Sequence, residues 1–349
     1  MHINDRKLNI GVVGCGKIAT NHFNSITELS DRYELVSVCD PNSETLQKVV
    51  DSRHVAGYTN LESMLQAQPE LDLITLCSPS GLHASQTIRL AQSGKHVITE
   101  KPMATRWRDG IDMVNACDNA NVKLFVVKQN RYQPALQLLK QALRKQRFGR
   151  LYLANFNVFW TRPQSYYDQA RWRGTWEFDG GAFMNQASHY VDLLDWLIGP
   201  VQSVQAMMST LAIDRETEDT GVLNIRWRSG ALGSMNVTML TYPKNLEASL
   251  TLLGEKGSVK IGGVSANQIL HWEFEDTDAD DEVAQTLKTA PQNVPHFGHK
   301  LYYENVFSTL AGHTLADTDG REGLRSLEIL IAAYLSARDN KHMSLPLIF

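Results

Sequence analysis

From residue 8 to about residue 127, short apolar runs alternate with stretches whose apolar residues recur at helical spacing; the runs are residues 10–14, 35–39, 71–77, 96–99 and 122–127. Continuous apolar runs of this length suit strands buried on both faces, and strands separated by helices pair in parallel, so this part predicts successive βαβ units. From about residue 151 the rhythm changes. Residues 151–160, 201–211, 220–228, 231–238, 247–254 and 257–262 read as strands, several alternating apolar and polar positions as a half-exposed antiparallel sheet does. Arg228-Ser229-Gly230 and Glu255-Lys256 fall where hairpin turns belong. A helix is predicted over residues 180–198, stopped by Gly199-Pro200, with further helices over 133–146, 302–311 and 320–339. The acidic stretch 273–282 reads as a solvated loop. The expected architecture is α/β: a domain of parallel βαβ units over residues 1–127, then an α/β domain with a mainly antiparallel sheet over residues 128–349.

The first apolar run opens the most specific motif. Leu8 to Ala19 reads as strand, glycine turn and helix start, with Gly14-x-Gly16-x-x-Ala19 at the turn. The first glycine permits the tight turn, the second lets backbone approach a pyrophosphate, and the small alanine lets helix and strand pack closely. Helix-start amides, those of Lys17 and Ile18 among them, then point at the phosphates. Asp40 ends the next strand, where a carboxylate accepts both adenine-ribose hydroxyls and repels a 2'-phosphate, so the expected cofactor is NAD rather than NADP. Ser78-Pro79-Ser80-Gly81-Leu82-His83 follows the third run and is expected to lie over the nicotinamide half, with His83 equally readable as a packing or capping histidine. Glu100-Lys101-Pro102 ends the next strand, at the sheet edge where such folds bind ligands.

On a regular helix, Asn185, His189, Asp192 and Trp196 share one face and Phe183, Ala187, Tyr190, Leu194 and Ile198 the other. That places Asn185 and His189 toward the crevice, with Asp192 able to orient the imidazole. The late Gly298-His299 pair has no assignment from sequence.

Composition narrows the partners. A formal net charge of -4 argues against broad nucleic-acid binding. No apolar run approaches the ~20 residues that span a bilayer. The polar start Met1 to Lys7 lacks the apolar core of a signal peptide, so the expectation is a cytoplasmic protein with no membrane partner. The four cysteines, Cys15, Cys39, Cys77 and Cys117, form no CxxC pair and read as reduced core thiols, with no metal expected.

The fingerprint, the Ser78-Pro79-x-x-x-His83 loop, Glu100-Lys101-Pro102 and Gly180-Gly181-x-x-x-Asn185-x-x-x-His189 together resemble the Gfo/Idh/MocA oxidoreductase family over essentially the whole chain. The resemblance implies a Rossmann domain followed by an α/β domain with a large open sheet, which binds substrate and builds oligomers, and an active site between the two domains. It implies that Lys101 and His189 flank a sugar carbon that loses hydride. One departure is Asn185, where the family commonly has aspartate; loss of that carboxylate shifts acid-base work to Lys101 and His189.

Segments 99–109, 126–130, 159–163, 171–179 and 184–196 narrow the likeness to the branch that oxidises C3 of UDP-2-acetamido-2-deoxy-D-glucuronate on the route to lipopolysaccharide O-antigen sugars. This implies a UDP-sugar substrate, a homo-tetramer, and a product passed to a PLP-dependent aminotransferase. His189 is the expected base and Lys101 the group that holds and polarises the C3 oxygen, the reverse assignment remaining open. A UDP-uronate brings a carboxylate and a pyrophosphate. Arg162, Arg171 and Arg173, set among Trp160, Tyr166, Tyr167, Trp172 and Trp176, suit anion forks and sugar stacking, and Arg131 is a further candidate. The rivals are a dehydrogenase of a free polyol such as myo-inositol and a non-catalytic NAD-binding sensor, which would need neither Lys101 nor His189.

Overall fold

The computed structural model describes residues 6–289 and 297–348. The chain forms two compact units, residues up to 129 with 297–324, and residues 130–289 with 325–348.

The first unit is a six-stranded sheet in the order β3-β2-β1-β4-β5-β6. Its strands are β1 (Leu8–Val13), β2 (Tyr33–Cys39), β3 (Ala56–Tyr58), β4 (Leu73–Leu76), β5 (His96–Thr99) and β6 (Leu124–Val126), all parallel. Between them run α1 (Ala19–Glu28), α2 (Ser43–Arg53), α3 (Leu61–Ala67), α4 (His83–Gln92) and α5 (Trp107–Asn119). β4 is buried end to end and β1 at every position but half-buried Asn9, as strands covered by helices on both faces must be. The order reverses beside β1, and the carboxyl ends of β1, β2, β4 and β5 deliver Gly14, Asp40, Ser78 and Lys101 to that edge. β3, three residues long, carries too little pattern to be read from sequence.

The second unit opens with α6 (Pro134–Arg144) and contains α7 (Gln164–Asp168), α8 (Ser188–Ile198) and α9 (Ala279–Thr289). Its eight-stranded sheet has the order β13-β12-β11-β7-β10-β9-β8-β14. The strands are β7 (Leu151–Phe159), β8 (Val201–Ser209), β9 (Thr220–Trp227), β10 (Leu232–Thr238), β11 (Glu247–Gly254), β12 (Gly257–Gly262), β13 (Gln268–Phe274) and β14 (Met343–Ser344). Only the β7–β10 pair is parallel. β9 alternates strictly between buried and less buried positions, so one face of the sheet faces the core. Buried Trp227 donates its indole N–H to the Leu194 carbonyl at 3.1 Å, fastening α8 to that face.

Two expectations are corrected. The stretch 273–282 is a mostly exposed loop only over 275–278: its ends finish β13 and start α9, and its carboxylates hold cations. Asp276 and Asp281 grip Arg147, whose side chain is 1% exposed, and Asp278 and Asp280 grip Lys145. The chain also does not divide at a single point. Helix α10 (Phe297–Leu310) joins the first unit, because buried Tyr303 bonds both His22 Nδ1 and Thr75 Oγ1 at 2.9 Å while Tyr33 donates to its carbonyl at 2.6 Å. The last helix, α11, runs over Gly320–Asp339 as the sequence predicts. No helix among the described residues is long and apolar enough to cross a membrane.

Candidate active site

The glycine turn after β1 has the geometry a dinucleotide needs. Gly14 sits at φ +90°, and a Cβ there would lie 2.6 Å from the Cys77 carbonyl carbon, so both conformation and space demand glycine. Gly16 is exposed with nothing within 4 Å of where a Cβ would stand, leaving the turn open to a ligand. α1 has no side-chain cap and no acidic residue in its first turn, so no carboxylate of its own fills the anion position at its start. Lys17 is exposed and Ile18 stands at the cap position. Asp40 is locked to this turn: Oδ2 accepts the Cys15 N–H at 2.7 Å and Oδ1 the Asn42 N–H at 2.8 Å. These residues fit a dinucleotide.

Three candidate residues turn out to be engaged inside the protein. His83 is buried, with Nδ1 3.0 Å from the Pro102 carbonyl and Nε2 3.0 Å from the Ser78 carbonyl. It ties the loop after β4 to the Lys101-Pro102 step. Ser78 Oγ donates to Gln86 Oε1 at 2.5 Å, and half-buried Pro79 follows it. Glu100 is likewise turned inward: Oε1 bonds His22 Nε2 at 3.0 Å and Oε2 accepts the Lys101 N–H at 3.0 Å. Burial works to raise its carboxyl, but the hydrogen bond from His22, the nearby His299 imidazole and the charge of Lys101 outweigh burial and hold it well below the usual range. Its carboxylate therefore helps set the backbone of the catalytic candidate Lys101.

This network also places Gly298-His299. His299 Nε2 stands 3.8 Å from Glu100 Oε1, and a side chain at Gly298 would collide with the Gln129 carbonyl. His22, Glu100 and His299 bring metal-ligand atoms within 4.8 Å of one another, but both His22 nitrogens already have hydrogen-bond partners in Tyr303 and Glu100. All four cysteines are free, and burial pushes the Cys15 thiol up to about 12.

In the second unit the expected continuous helix over 180–198 is two pieces. A π-turn covers Ala182–Gln186, closed by the Ala187 N–H on the Ala182 carbonyl at 2.8 Å, and α8 follows. The wider turn changes the angle between Asn185 and His189 from that of a regular helix, and π-turns recur at functional sites. On the expected polar face His189 and Asp192 are buried, while Asn185 and Trp196 are half-buried.

Asp192 explains Arg131. Both are buried, and the guanidinium grips the carboxylate two-pronged, Nε to Oδ2 and Nη2 to Oδ1, each at 2.7 Å. Arg131 was expected to read a substrate anion; its fork is instead taken by α8, and breaking such a buried pair costs about 3–5 kcal/mol.

The other candidates form a shell on the sheet's rim. Trp160 donates its indole N–H to the Val264 carbonyl at 3.0 Å and meets Tyr190 edge-on. Arg162 lies over Trp160 and Tyr166, with Nε on Gln186 Oε1 at 3.1 Å and Nη1 on the Thr161 carbonyl at 2.8 Å. Arg173 lies 4.2 Å over the Tyr166 ring and bonds its carbonyl, while Arg171 is exposed.

Two residues were missed from sequence. Asp179 is buried; Oδ2 accepts the Gly174 N–H at 2.7 Å and its other oxygen accepts the Asn185 side-chain N–H. A carboxylate six positions earlier thus holds the Asn185 amide in place. The Glu-Phe-Asp-Gly-Gly run was the available signal. Glu218 is buried beside Gly181, and burial pushes its carboxyl up to about 7 against hydrogen bonds from the Phe183 N–H and the Tyr334 hydroxyl. Nothing local in sequence marks it.

An open glycine turn on a 3-2-1-4-5-6 parallel sheet, joined to a sheet-based unit bearing a buried histidine helix, defines an NAD-dependent oxidoreductase. Residues 8–128 match the oxidoreductase family NAD-binding Rossmann fold and residues 140–345 match that family's C-terminal alpha/beta domain, so the chain belongs to the Gfo/Idh/MocA oxidoreductase family. It is similar to the WlbA dehydrogenase of Chromobacterium violaceum, solved with NADH and UDP-GlcNAcA, at 59% identity with 99% of this chain and 98% of that one covered and a TM-score of 0.95. The WlbA dehydrogenase of Bordetella pertussis, solved with the same two ligands, is 56% identical, with 99% and 100% covered and a TM-score of 0.97. D-Apiose dehydrogenase of Paraburkholderia graminis is more distant, 25% identical over 96% of this chain and 88% of its own length.

Proposed function

We propose that the chain oxidises the C3 hydroxyl of UDP-2-acetamido-2-deoxy-D-glucuronate to the 3-keto sugar nucleotide with NAD. The likeness at 56–59% identity, over nearly the full length, to two dehydrogenases solved with NADH and UDP-GlcNAcA carries this reading. NAD, when bound, supplies the acceptor for the C3 hydride. Gly14, Gly16, Lys17, Ile18, Ser78 and Pro79 hold its phosphates and nicotinamide end, and Asp40 takes the ribose hydroxyls. His189 accepts the hydroxyl proton, and Lys101 holds and polarises the C3 oxygen. Asn185, backed by Asp179, orients the sugar. Glu100, His83 and Arg131 position Lys101, the Ser78 loop and α8.

Incubation with NAD and a panel of UDP-uronates, UDP-hexoses and free polyols, followed by NADH absorbance, tests the substrate. The uronate should reduce NAD, and uridine diphosphate should compete with it, because the nucleotide supplies binding energy remote from the reacting carbon. Reduction by a free polyol with no inhibition by uridine diphosphate would overturn the reading.

Asp40→Ala is expected to weaken NAD and improve NADP relative to it, since the repulsion of a 2'-phosphate goes with the carboxylate. Steady-state kinetics with both cofactors measure this, and equal use of the two by the unmutated enzyme would remove Asp40 from the role.

Assembly and pathway follow the same resemblance. Leu153, Leu232 and Leu253 are cross-strand neighbours on β7, β10 and β11, each at least 36% exposed, and such an apolar row favours cover by another copy in a homo-tetramer. The keto product would pass to a PLP-dependent aminotransferase in the cytoplasm, on the route to lipopolysaccharide sugars.

A further inference from the structure

The Gly180-Gly181 pair before the His189 helix has no role in the chemistry above. Gly180, at φ +79°, turns the chain, and a Cβ at Gly181 would collide with the carboxylate of Glu218. The close approach has a purpose at the helix start. The Ala182 N–H bonds the Glu218 carbonyl at 3.1 Å, and the Phe183 N–H bonds Glu218 Oε1 at 2.9 Å. The Met184 N–H bonds the Tyr334 hydroxyl at 3.1 Å, which in turn donates to Glu218 Oε1 at 2.8 Å. Three consecutive leading amides, which a helix cannot satisfy internally, are thus satisfied by one residue of the β8–β9 connection and one of α11. No residue of the helix's own leading turn caps it.

We propose that Glu218, with Tyr334, is a positioning residue for the oxidation: it caps from outside the π-turn that carries Asn185 and leads into His189, and so fixes the angle at which those two side chains are presented. The inference rests on the functional reading above for the roles of Asn185 and His189. A local Ser or Asp cap would hold one end of a regular helix. A distant cap on a π-turn holds a backbone shape that the local sequence does not favour, which is why glycine must stand at 181 to admit it.

The test compares Glu218→Gln, which keeps an acceptor for the Phe183 N–H, with Glu218→Leu, which does not, and with Tyr334→Phe. Amide exchange of the peptide spanning residues 181–187 and kcat, KM and NADH affinity are measured on the full-length enzyme. Glu218→Leu should speed exchange there about tenfold or more, the scale for losing a buried hydrogen bond. It should lower kcat about tenfold, with NADH affinity unchanged. Glu218→Gln should recover most of both, and Tyr334→Phe should fall between. Equal losses in the Gln and Leu variants would show that an acceptor at 218 does not hold the turn and overturn the proposal, as would unchanged exchange in the Leu variant. Should Glu218→Leu not fold, a Tyr334→Phe variant indistinguishable from the unmutated enzyme in exchange and kcat would overturn it as well. Normal turnover in His189→Asn would instead overturn the functional reading, so the two failures are separable.

Discussion

UDP-N-acetylglucosamine, with a hydroxymethyl group where the uronate carries its carboxylate, is expected to be oxidised with a kcat/KM about 10⁴-fold below that of the uronate. A carboxylate withdrawn from water must find donors or lose several kcal/mol of solvation, and a cation placed to meet it is left unpaired by a neutral analogue. Among the three arginines set out for this role, Arg162 is the one whose guanidinium is tied to Gln186, in the π-turn that leads to His189, and flanked by Trp160 and Tyr166. A guanidinium held this way is pre-organised, so little rotamer freedom remains to be lost on pairing. Arg162→Met should therefore erase most of the discrimination by slowing the uronate, while the neutral sugar nucleotide changes little. Parallel kinetics on both substrates read this directly. Comparable kcat/KM for the two in the unmutated enzyme would mean that the acid is not recognised.

The second large effect is on turnover itself. Lys101→Met and His189→Asn should each lower kcat by about 10²-fold or more, the usual scale for losing a positioned acid-base group, with NADH affinity preserved. Removing a secondary hydroxyl's proton while hydride departs requires the two events to be aligned, and neither replacement offers a group that can both approach the oxygen and exchange a proton. Lys101 is well placed for this role because its backbone N–H is fixed by Glu100 and the following Pro102 carbonyl by His83. Fluorescence titration with NADH separates binding from turnover in both variants. Near-normal turnover in either would remove that residue from the catalytic group.

Much of this protein is legible in one dimension. The strands β1, β2, β4, β5 and β6 stand out because a parallel sheet buried on both faces imposes unbroken apolar runs, and α11 is bounded by its periodicity alone. Gly14 could be assigned from its motif because a positive φ and a close backbone approach leave no other residue type. These are properties set by neighbours within a few positions along the chain.

What the sequence did not carry are pairings between distant residues. His83 and Glu100 look like cofactor contacts beside their motifs, yet one spans two loops and the other joins His22 and His299. Arg131 looks like an anion reader until Asp192, 61 residues away, occupies its fork. The π-turn before His189 depends on Glu218, 35 residues beyond Phe183, and on Tyr334, 150 beyond Met184. The acidic stretch was misread for the same reason, since its cations, Lys145 and Arg147, lie some 130 positions upstream. Sequence by itself determined the Rossmann fingerprint, the change from parallel to mainly antiparallel pairing, and the residue types available for hydride chemistry, because local stereochemistry and burial period write themselves into adjacent positions. Only tertiary structure decided which polar groups are already satisfied inside the protein, because a buried hydrogen bond depends on distance in space, to which separation along the chain is no guide.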